Sequence, residues 1–329
     1  MTRVLVTGGA GYVGSHTAKA LAASGIVPIV YDSLEAGRSD FVRWGPLVRG
    51  DVLDRAALVA AIRAHAPAAI LHFAGRIAVG ESVVRPDLHY RTNVGGTLAI
   101  LEAMRETDVR TIIFSSSAAV YGTPTTVPIR EDSAITPLSP YGHSKATAEV
   151  MIRDFSAAFG LQWLALRYFN AAGADPDGEL GEQHEPETHA VPLAILAAMG
   201  HGTFRVFGND YATPDGTALR DYVHVSDLAD AHVLGLRHLN QGGASAAVNL
   251  GGERARSVRE IITAVESFSG RRVPISDCAR RPGDPPELLA DIGVARRLLR
   301  WRPTRSDLSV IVETAWQWHA RTATHPSQA

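Results

Sequence analysis

Residues 3–14 read Arg-Val-Leu-Val-Thr-Gly-Gly-Ala-Gly-Tyr-Val-Gly, an apolar run followed at once by glycines at positions 8, 11 and 14. The run is typical of a buried strand, and the glycines occupy the turn that would lead into a helix. Such a turn lets backbone N–H groups approach a pyrophosphate, and the start of the helix adds partial positive charge. The stretch therefore predicts a dinucleotide-binding strand–turn–helix unit.

The rest of the first half repeats the alternation of strand and helix. Helical periodicity covers 12–24, 54–65, 86–106 and 143–159, and further apolar runs rich in β-branched residues lie at 27–32, 47–49, 69–73, 111–116 and 163–168. Several runs are continuously apolar, as strands buried on both faces are. This alternation predicts an α/β fold with a Rossmann-like, doubly wound parallel sheet, whose ligands bind where the strands end.

The pattern changes after residue 172. Gly, Pro, Asp and Glu crowd residues 173–188, and the later apolar runs are shorter. We therefore expect residues 1–172 to form the nucleotide-binding domain and residues 173–329 a smaller C-terminal α/β domain that faces the substrate. A later piece near 222–250 is expected to return to the first domain.

The bulk composition narrows the class of protein. The 329 residues carry 32 basic and 34 acidic side chains, a net charge of −2, without the basic excess of nucleic-acid binders. Cys278 is the only cysteine, which excludes an internal disulfide and fits a reducing compartment. Neither a leader peptide nor a membrane-spanning run is evident. We expect a soluble, cytoplasmic protein with no nucleic-acid or membrane partner.

An acidic residue closes the second predicted strand. Asp32 lies close to the offset of about 20 residues at which a carboxylate accepts hydrogen bonds from the adenosine ribose. Because a carboxylate there repels a 2′-phosphate, it favours NAD over NADP. Asp51 and the run Phe73-Ala74-Gly75 end on the same sheet edge. A turn or helix cap explains Asp51 equally well.

Tyr141 and Lys145 are four residues apart, so they share one face of a helix. A phenol with a pKa near 10 is a poor base at neutral pH. A neighbouring ammonium, together with a cationic nicotinamide, favours the phenolate. Only two of the 32 basic residues are lysines, Lys19 and Lys145. Because arginine occupies 30 of the 32 basic positions, the lysine at position 145 indicates a role that arginine does not fill.

The glycine loop, the Tyr-x-x-x-Lys pair and the serine run 115–117 resemble the extended short-chain dehydrogenase/reductase family. Within that family, nearly the whole chain is similar to the nucleotide-sugar 4-epimerases. The likeness is carried by residues 4–17, His72-Phe73-Ala74-Gly75, Val79-Gly80-Glu81-Ser82, Leu166-Arg167-Tyr168-Phe169-Asn170, Phe207-Gly208-Asn209-Asp210-Tyr211, Asp215-Gly216-Thr217, Arg220-Asp221-Tyr222-Val223-His224-Val225 and Arg281-Pro282-Gly283-Asp284.

The resemblance implies an isomerase of galactose metabolism that interconverts UDP-glucose and UDP-galactose, through a 4-keto sugar and tightly bound NAD. Tyr141 would remove the 4-hydroxyl proton, Ser117 would hydrogen-bond the same oxygen, and Lys145 would hold the nicotinamide ribose and tune Tyr141. The cofactor-binding residues would be Gly8, Gly11, Tyr12, Val13, Asp32, Asp51, Val52, Phe73, Ala74, Gly75, Asn93, Ser115, Tyr141, Lys145 and Tyr168.

The resemblance also implies the residues that hold the UDP-sugar. Asn170, Arg220 and Arg281 would contact the diphosphate, Asp284 the uridine ribose, and Phe207 would pack the uracil. The full substrate set would be Ser117, Tyr141, Asn170, His189, Arg220, Tyr222, Arg281, Asp284 and Leu288. The family further implies a homodimer formed through helices of the large domain.

Two positions depart from the family pattern. Ile77 stands where some members carry a lysine that contacts the NAD phosphates, and Arg76 beside it is a candidate replacement. Leu288 lies at a position resembling a gate for the 2-substituent of the sugar, where a tyrosine excludes N-acetylated sugars. A leucine is intermediate in size, so activity on UDP-N-acetylhexosamines is expected to be possible.

The stretch from His184 to His189 contains a histidine at each end and an acid between them. Its spacing is one residue longer than the zinc motif His-Glu-x-x-His, and Pro186 breaks the helix which that motif needs. We therefore expect no metal site, with His189 lining the UDP pocket instead.

Three other functions compete with the hexose epimerase. A nucleotide-sugar 4,6-dehydratase would carry Thr-Asp-Glu where this chain has Ser116-Ser117-Ala118, so its acid pair is missing. A UDP-pentose 4-epimerase remains open. A non-catalytic NAD-sensing module is also compatible with the fold, although it has no need for Ser117, Tyr141 and Lys145 together.

Overall fold

The computed structural model describes residues 1–281 and 283–324. Its strands are β1 (Arg3–Thr7), β2 (Val27–Asp32), β3 (Leu47–Arg49), β4 (Ala69–His72), β5 (Thr111–Ser117), β6 (Gln162–Tyr168), β7 (Asn170–Ala172), β8 (Phe204–Phe207), β9 (Leu219–His224), β10 (Ala246–Leu250), β11 (Ala255–Ser257), β12 (Ile275–Cys278) and β13 (Glu287–Leu288). Its helices are α1 (Tyr12–Ala23), α2 (Arg55–His65), α3 (Val79–Val84), α4 (Pro86–His89), α5 (Gly96–Thr107), α6 (Pro140–Phe159), α7 (Ala190–Ala198), α8 (Val225–Asn240), α9 (Val258–Ser269) and α10 (Leu308–Thr324).

Seven parallel strands form the main sheet, in the order β10-β6-β5-β4-β1-β2-β3. Alternate residues of β1 enter different cores, since Val4 and Val6 pack in one cluster with Leu21 of α1, whereas Leu5 packs in another with Leu58 of α2. Helices α1 and α8 pack together, and α2 packs against α5. Both faces of the sheet are thus covered, which confirms the predicted Rossmann-like, doubly wound α/β fold.

One predicted helix is interrupted. The periodicity at 86–106 predicts a single helix, but α4 and α5 are joined by a π-helical turn over Tyr90–Gly95. A π turn inserts extra backbone without ending the helix, so the apolar spacing does not reveal it. The turn contains Asn93, which is almost fully buried and belongs to the predicted cofactor set.

A smaller α/β lobe is built from the later elements. Strands β11, β9, β13 and β7 form a four-stranded sheet, β12 pairs with β8, and α7, α9 and α10 contact one another. The chain returns to the main sheet between these pieces, because α8 packs on α1 and β10 is the edge strand beside β6. In the described parts of the chain, the helices lack the combined length and apolar character required to cross a bilayer.

The parallel arrangement brings several predicted site residues to one edge of the main sheet. Thr7, the last residue of β1, is in register with Tyr31 of β2 and His72 of β4, and Ser117 of β5 is in register with Tyr168 of β6. The glycine loop and the segments starting at Phe73 and Ala118 therefore leave the sheet at the same edge, where α/β folds bind their ligands.

Candidate active site

The glycine loop packs directly against the segment after β4. Gly8 has a φ of 72°, and a Cβ there would lie 2.4 Å from the backbone nitrogen of Ala74. A Cβ on Gly14 would lie 2.3 Å from the carbonyl oxygen of Gly8. Gly11 is the N-cap of α1, so the first turn of the helix, with Tyr12 and Val13, presents its N–H groups without a side chain in front of them. This cradle fits a dinucleotide pyrophosphate.

Gly14→Ala is expected to lower the affinity of the loop for a dinucleotide. The added Cβ displaces the Gly8 carbonyl, at an overpacking cost of about 1–3 kcal/mol, which corresponds to a roughly ten- to hundredfold loss of NAD affinity. NAD released from the denatured protein gives the readout. Gly80→Ala is the matched control, since a Cβ there meets nothing within 4 Å. Equal NAD content in both variants would refute the role of the loop.

Asp32 is buried at the end of β2, and its carboxylate orders the surrounding backbone. One oxygen accepts the N–H of Ala10 at 2.9 Å and the other accepts the N–H of Leu34 at 2.9 Å. Since each carboxylate oxygen can accept a second bond, both still have capacity for ribose hydroxyls. Asp51 is exposed, and its carboxylate accepts the N–H of Leu53 at 2.9 Å, as a residue that stabilises a turn does. Val52 beside it is buried.

Arg76 lies between two acids. Its guanidinium pairs with Glu35 in the loop after β2 and, at 3.3 Å, with Glu81 of α3. Ile77 is exposed. Arg76 is thus held by the carboxylates of Glu35 and Glu81 near the Asp32 loop. An NAD phosphate would have to compete with these carboxylates for its guanidinium.

The start of α6 is fixed by its cap. The Ser139 hydroxyl accepts the N–H of Gly142 at 3.1 Å, and Pro140 occupies the first helical position, where its missing N–H leaves no bond unmade. The helix therefore begins one residue before Tyr141. Tyr141 and Lys145 consequently follow one above the other on the same face.

Lys145 is buried beneath the phenol. Its Nζ donates to the carbonyl oxygen of Ser115 at 2.8 Å and lies 4.9 Å from the centre of the Phe114 ring. The same Nζ is 5.9 Å from the centre of the Tyr141 ring. Only 3% of the lysine is exposed, so the ammonium is held in one place by the end of β5.

Burial dominates the proton affinities of this pair. It raises the pKa of Tyr141 above its usual value, against a lowering effect of the hydrogen bond with Ser117. Burial also lowers the pKa of Lys145 to about 8, although the Glu149 carboxylate opposes this. The ammonium alone therefore does not make the phenol acidic, because the apolar surroundings penalise both charges. A further positive charge beside the phenol is needed to favour the phenolate.

Other predicted cofactor residues surround the pair. The hydroxyls of Ser115 and Tyr168 form a hydrogen bond across β5 and β6. The Asn93 amide donates to the Ser144 hydroxyl at 2.9 Å and accepts the N–H of Arg76 at 2.8 Å. The π turn thus ties α6 to the segment after β4. A Cβ on Gly75 would lie 2.9 Å from the Asn93 oxygen, which explains a glycine at this position.

His89 contacts Tyr141, although the sequence does not single it out. Its buried ring meets the Tyr141 ring edge-to-face, with 6.3 Å between the centroids, and its Nε2 is 3.0 Å from a Glu81 oxygen. Burial lowers the pKa of His89. Nothing in the local spacing signals this contact, because it depends on how α4 docks on α6.

The smaller sheet carries four of the nine predicted substrate residues. Asn170 of β7 is in register with Tyr222 of β9, and Leu288 of β13 is in register with Arg220 of the same β9. Arg220 forms an ion pair with Asp284. The Tyr211 hydroxyl also approaches Asp284, at 3.5 Å. Arg281 lies apart from this pair, with its exposed guanidinium 4.0 Å from the centre of the Phe207 ring.

The loop that leads into α7 carries His189 and an acidic cluster. His189 Nδ1 contacts Glu182, and His184 Nδ1 lies 3.1 Å from the same Glu182 oxygen. The ring of His184 meets the ring of Tyr12, the first residue of α1 after the glycine loop, edge-to-face at 6.2 Å. This loop therefore borders both the nucleotide side and the smaller lobe.

The fold and the site are those of a dinucleotide-binding α/β enzyme. The model of the NAD dependent epimerase/dehydratase family matches residues 4–251, and the chain belongs to that family. It is 49% identical to a UDP-glucose 4-epimerase of Rhizobium leguminosarum bv. trifolii over 98% of both chains.

Two solved structures show the same likeness. A UDP-glucose 4-epimerase from Brucella ovis in complex with NAD superposes with a TM-score of 0.95 at 52% identity, covering 96% of this chain and 98% of that one. A UDP-glucose 4-epimerase from Stenotrophomonas maltophila with bound NAD and formylated UDP-arabinopyranose has a TM-score of 0.95 at 37% identity, covering 98% and 99%.

Proposed function

We propose that the chain is an NAD-dependent UDP-glucose 4-epimerase. The observation that carries the proposal is the group formed by Ser117, Tyr141 and the buried Lys145 at the sheet edge next to the glycine loop. When bound, NAD supplies a reversible oxidation of the sugar at C4. The residues that would hold it are the glycine loop and Tyr12, Asp32, the 73–75 segment and Lys145.

The protein's own groups handle the proton. The Tyr141 oxygen takes the proton of the sugar's 4-hydroxyl and returns it. The Ser117 hydroxyl holds the sugar's O4 within hydrogen-bond distance of Tyr141. Lys145, fixed through the Ser115 carbonyl, places a positive charge below the ring. Inverting C4 requires the sugar to present both faces, so the protein must grip the UDP and leave the hexose free to turn.

The smaller lobe supplies that grip. Arg220 has the guanidinium geometry that suits a diphosphate, and the carboxylate of its partner Asp284 can accept hydrogen bonds from ribose hydroxyls. Asn170 and Tyr222 lie on adjacent strands, and His189 is the N-cap of α7. Arg281 lies over the Phe207 ring and offers a second guanidinium for the diphosphate. The Phe207 ring itself is suited to pack against the uracil.

The test is conversion of UDP-galactose by the purified protein, followed by proton NMR of the anomeric signals. We expect a mixture of UDP-galactose and UDP-glucose, with no accumulation of free NADH. Faster turnover of UDP-arabinose or UDP-xylose would instead favour a pentose epimerase. Protein that retains NAD but converts no sugar would leave only an NAD-sensing role.

Leu288 is expected to set the tolerance for the sugar's 2-substituent. It is half-buried on β13 beside Arg220, and a larger side chain there narrows the pocket. Leu288→Tyr should lower kcat/KM for UDP-N-acetylglucosamine by roughly tenfold or more relative to UDP-glucose. Leu288→Met is the control of similar volume. An unchanged ratio in Leu288→Tyr would contradict the gate.

We also propose that the protein is a cytosolic homodimer. The free thiol of Cys278 fits a reducing compartment such as the cytosol. For the dimer, the helices of the large lobe expose apolar side chains, among them Leu98 of α5 and Val150 of α6. Covering such side chains with a second copy removes apolar surface from water. A single-chain molar mass by light scattering at micromolar concentration would contradict the dimer.

A further inference from the structure

We propose that Glu182, His184, Glu187 and His189 form a binding site for one divalent transition-metal ion, of which Zn²⁺ is the best match. Each side chain offers one ligand atom, and all four atoms lie within 4.8 Å of one another. Two imidazole nitrogens and two carboxylate oxygens are a donor set that suits zinc better than Mg²⁺ or Ca²⁺.

The separations are close to those of a tetrahedral site. Bonds of about 2.0–2.2 Å place the ligand atoms of four-coordinate zinc about 3.3–3.6 Å apart. His184 Nδ1 is 3.1 Å from a Glu182 oxygen and 3.9 Å from Glu187 Oε2. His189 Nδ1 is in contact with the same Glu182 oxygen. An ion would fit among these ligand atoms if most of them moved by a few tenths of an ångström. The His189 and Glu182 atoms, which are in direct contact, would have to move further apart.

A buried oxygen without a partner points to a ligand independently of this clustering. The Glu187 side chain is 8% exposed, and its Oε2 is buried with no hydrogen-bond partner among the described residues. The other oxygen accepts the N–H groups of Thr188 at 2.7 Å and His189 at 2.8 Å, which fixes the carboxylate. An unsatisfied carboxylate oxygen is costly to bury, and a cation removes that cost.

Internal ion pairing does not account for the whole cluster. His184 Nδ1 and His189 Nδ1 both approach the same Glu182 oxygen. Glu187 Oε2 lies 3.9 Å from His184 Nδ1, beyond hydrogen-bond distance, so among the described residues the second carboxylate has no close cationic partner of this kind. A divalent ion balances both carboxylates at once.

A loop gathers these residues, and this is why the sequence argued against a metal. The expected absence rested on Pro186, which breaks the helix that a His-Glu-x-x-His motif needs. Here the four side chains converge from a segment without helical structure, which folds back between β7 and α7. The spacing of a helical motif therefore does not apply.

The surroundings indicate a structural ion. Four protein ligands fill a tetrahedral shell and leave no open position for a substrate. The Glu182 carbonyl accepts the indole N–H of Trp318 in α10 at 3.0 Å, and the His184 ring meets Tyr12 directly after the glycine loop. The ion would thus tie the smaller lobe to the nucleotide loop. Coordination through His189 Nδ1 leaves the other ring nitrogen for the predicted substrate contact.

Metal content after reloading tests the site directly. Untagged protein is stripped with a chelator, incubated with excess Zn²⁺, desalted and measured by inductively coupled plasma mass spectrometry. We expect about one zinc per chain in the wild type, and less than about a tenth of that in His184→Ala and Glu187→Gln. Glu185→Gln, an exposed acid in the same loop, is the matched control and should retain wild-type zinc. Mg²⁺ should not be retained.

A second measurement does not depend on the variants folding. Co²⁺ added to the stripped wild type should give the intense visible absorption of a four-coordinate site, and Zn²⁺ should abolish it. The site is overturned by zinc retained equally in both ligand variants, or by stripped wild type that retains no zinc and shows only the weak spectrum of aqueous Co²⁺. Since neither readout uses epimerase activity, failure here is distinct from failure of the proposed function.

Discussion

Tyr141→Phe is expected to lower turnover by a factor of about 10³ while the protein keeps its NAD. Positioned acid–base groups typically contribute 10²–10⁴-fold to a rate, and removing the hydroxyl leaves no group at the phenol's position to exchange a proton with the substrate. The ring itself stays, so its contacts with His89 and with Lys145 below it are preserved. The measurement pairs the rate of UDP-galactose conversion with the NAD released on denaturation.

Tyr90→Phe is the control for this substitution. Tyr90 is exposed on the π turn, and losing its hydroxyl should leave the rate unchanged within about twofold. If Tyr141→Phe kept a rate close to that of Tyr90→Phe, the proton would have to pass through another group and the proposed chemistry would be wrong.

Lys145→Arg is expected to lower turnover by at least about 10²-fold, although the charge is conserved. The Lys145 Nζ is buried between the Phe114 ring and the Ser115 carbonyl, in a space fitted to a compact ammonium. A guanidinium is larger and brings five N–H donors that need partners. The assay is the same rate measurement, with NAD content recorded alongside.

The chain contains its own control, because its other lysine performs a different task. Lys19 is partly exposed and pairs with Asp175, Asp177 and Glu179. Arginine can serve such an ion-pair cluster, so Lys19→Arg should retain most of the activity. Similar losses in both variants would mean that the substitution damages the fold and would remove the special role of Lys145.

The main sheet could be predicted because its signals are local. Runs such as 3–7 and 27–32 are apolar enough to define buried strands, and the structure has strands at those positions. The end of each strand then fixes where the next segment emerges. For this reason the strand pattern placed Asp32 at the ligand-binding edge without any knowledge of distances, whereas Ser117 was assigned through the family resemblance.

Features that depend on packing between distant segments were not predictable. The π turn at Tyr90–Gly95 preserves the helical spacing on either side and so leaves no trace in the pattern. The raised pKa of Tyr141 depends on how completely neighbouring elements bury it. The loop that gathers Glu182 with His184 and His189 has no periodicity to read.

The position of β10 constrains how the protein can be made. Its edge strand, Ala246–Leu250, and α8, which covers α1, are translated after much of the smaller lobe. The main sheet can therefore be completed beside β6 only after residue 250 has been synthesised, and α8 can cover α1 only after residue 240. Because β10 and α8 follow elements of the smaller lobe in the chain, one cut in the sequence does not divide the elements of the main sheet from those of the smaller lobe.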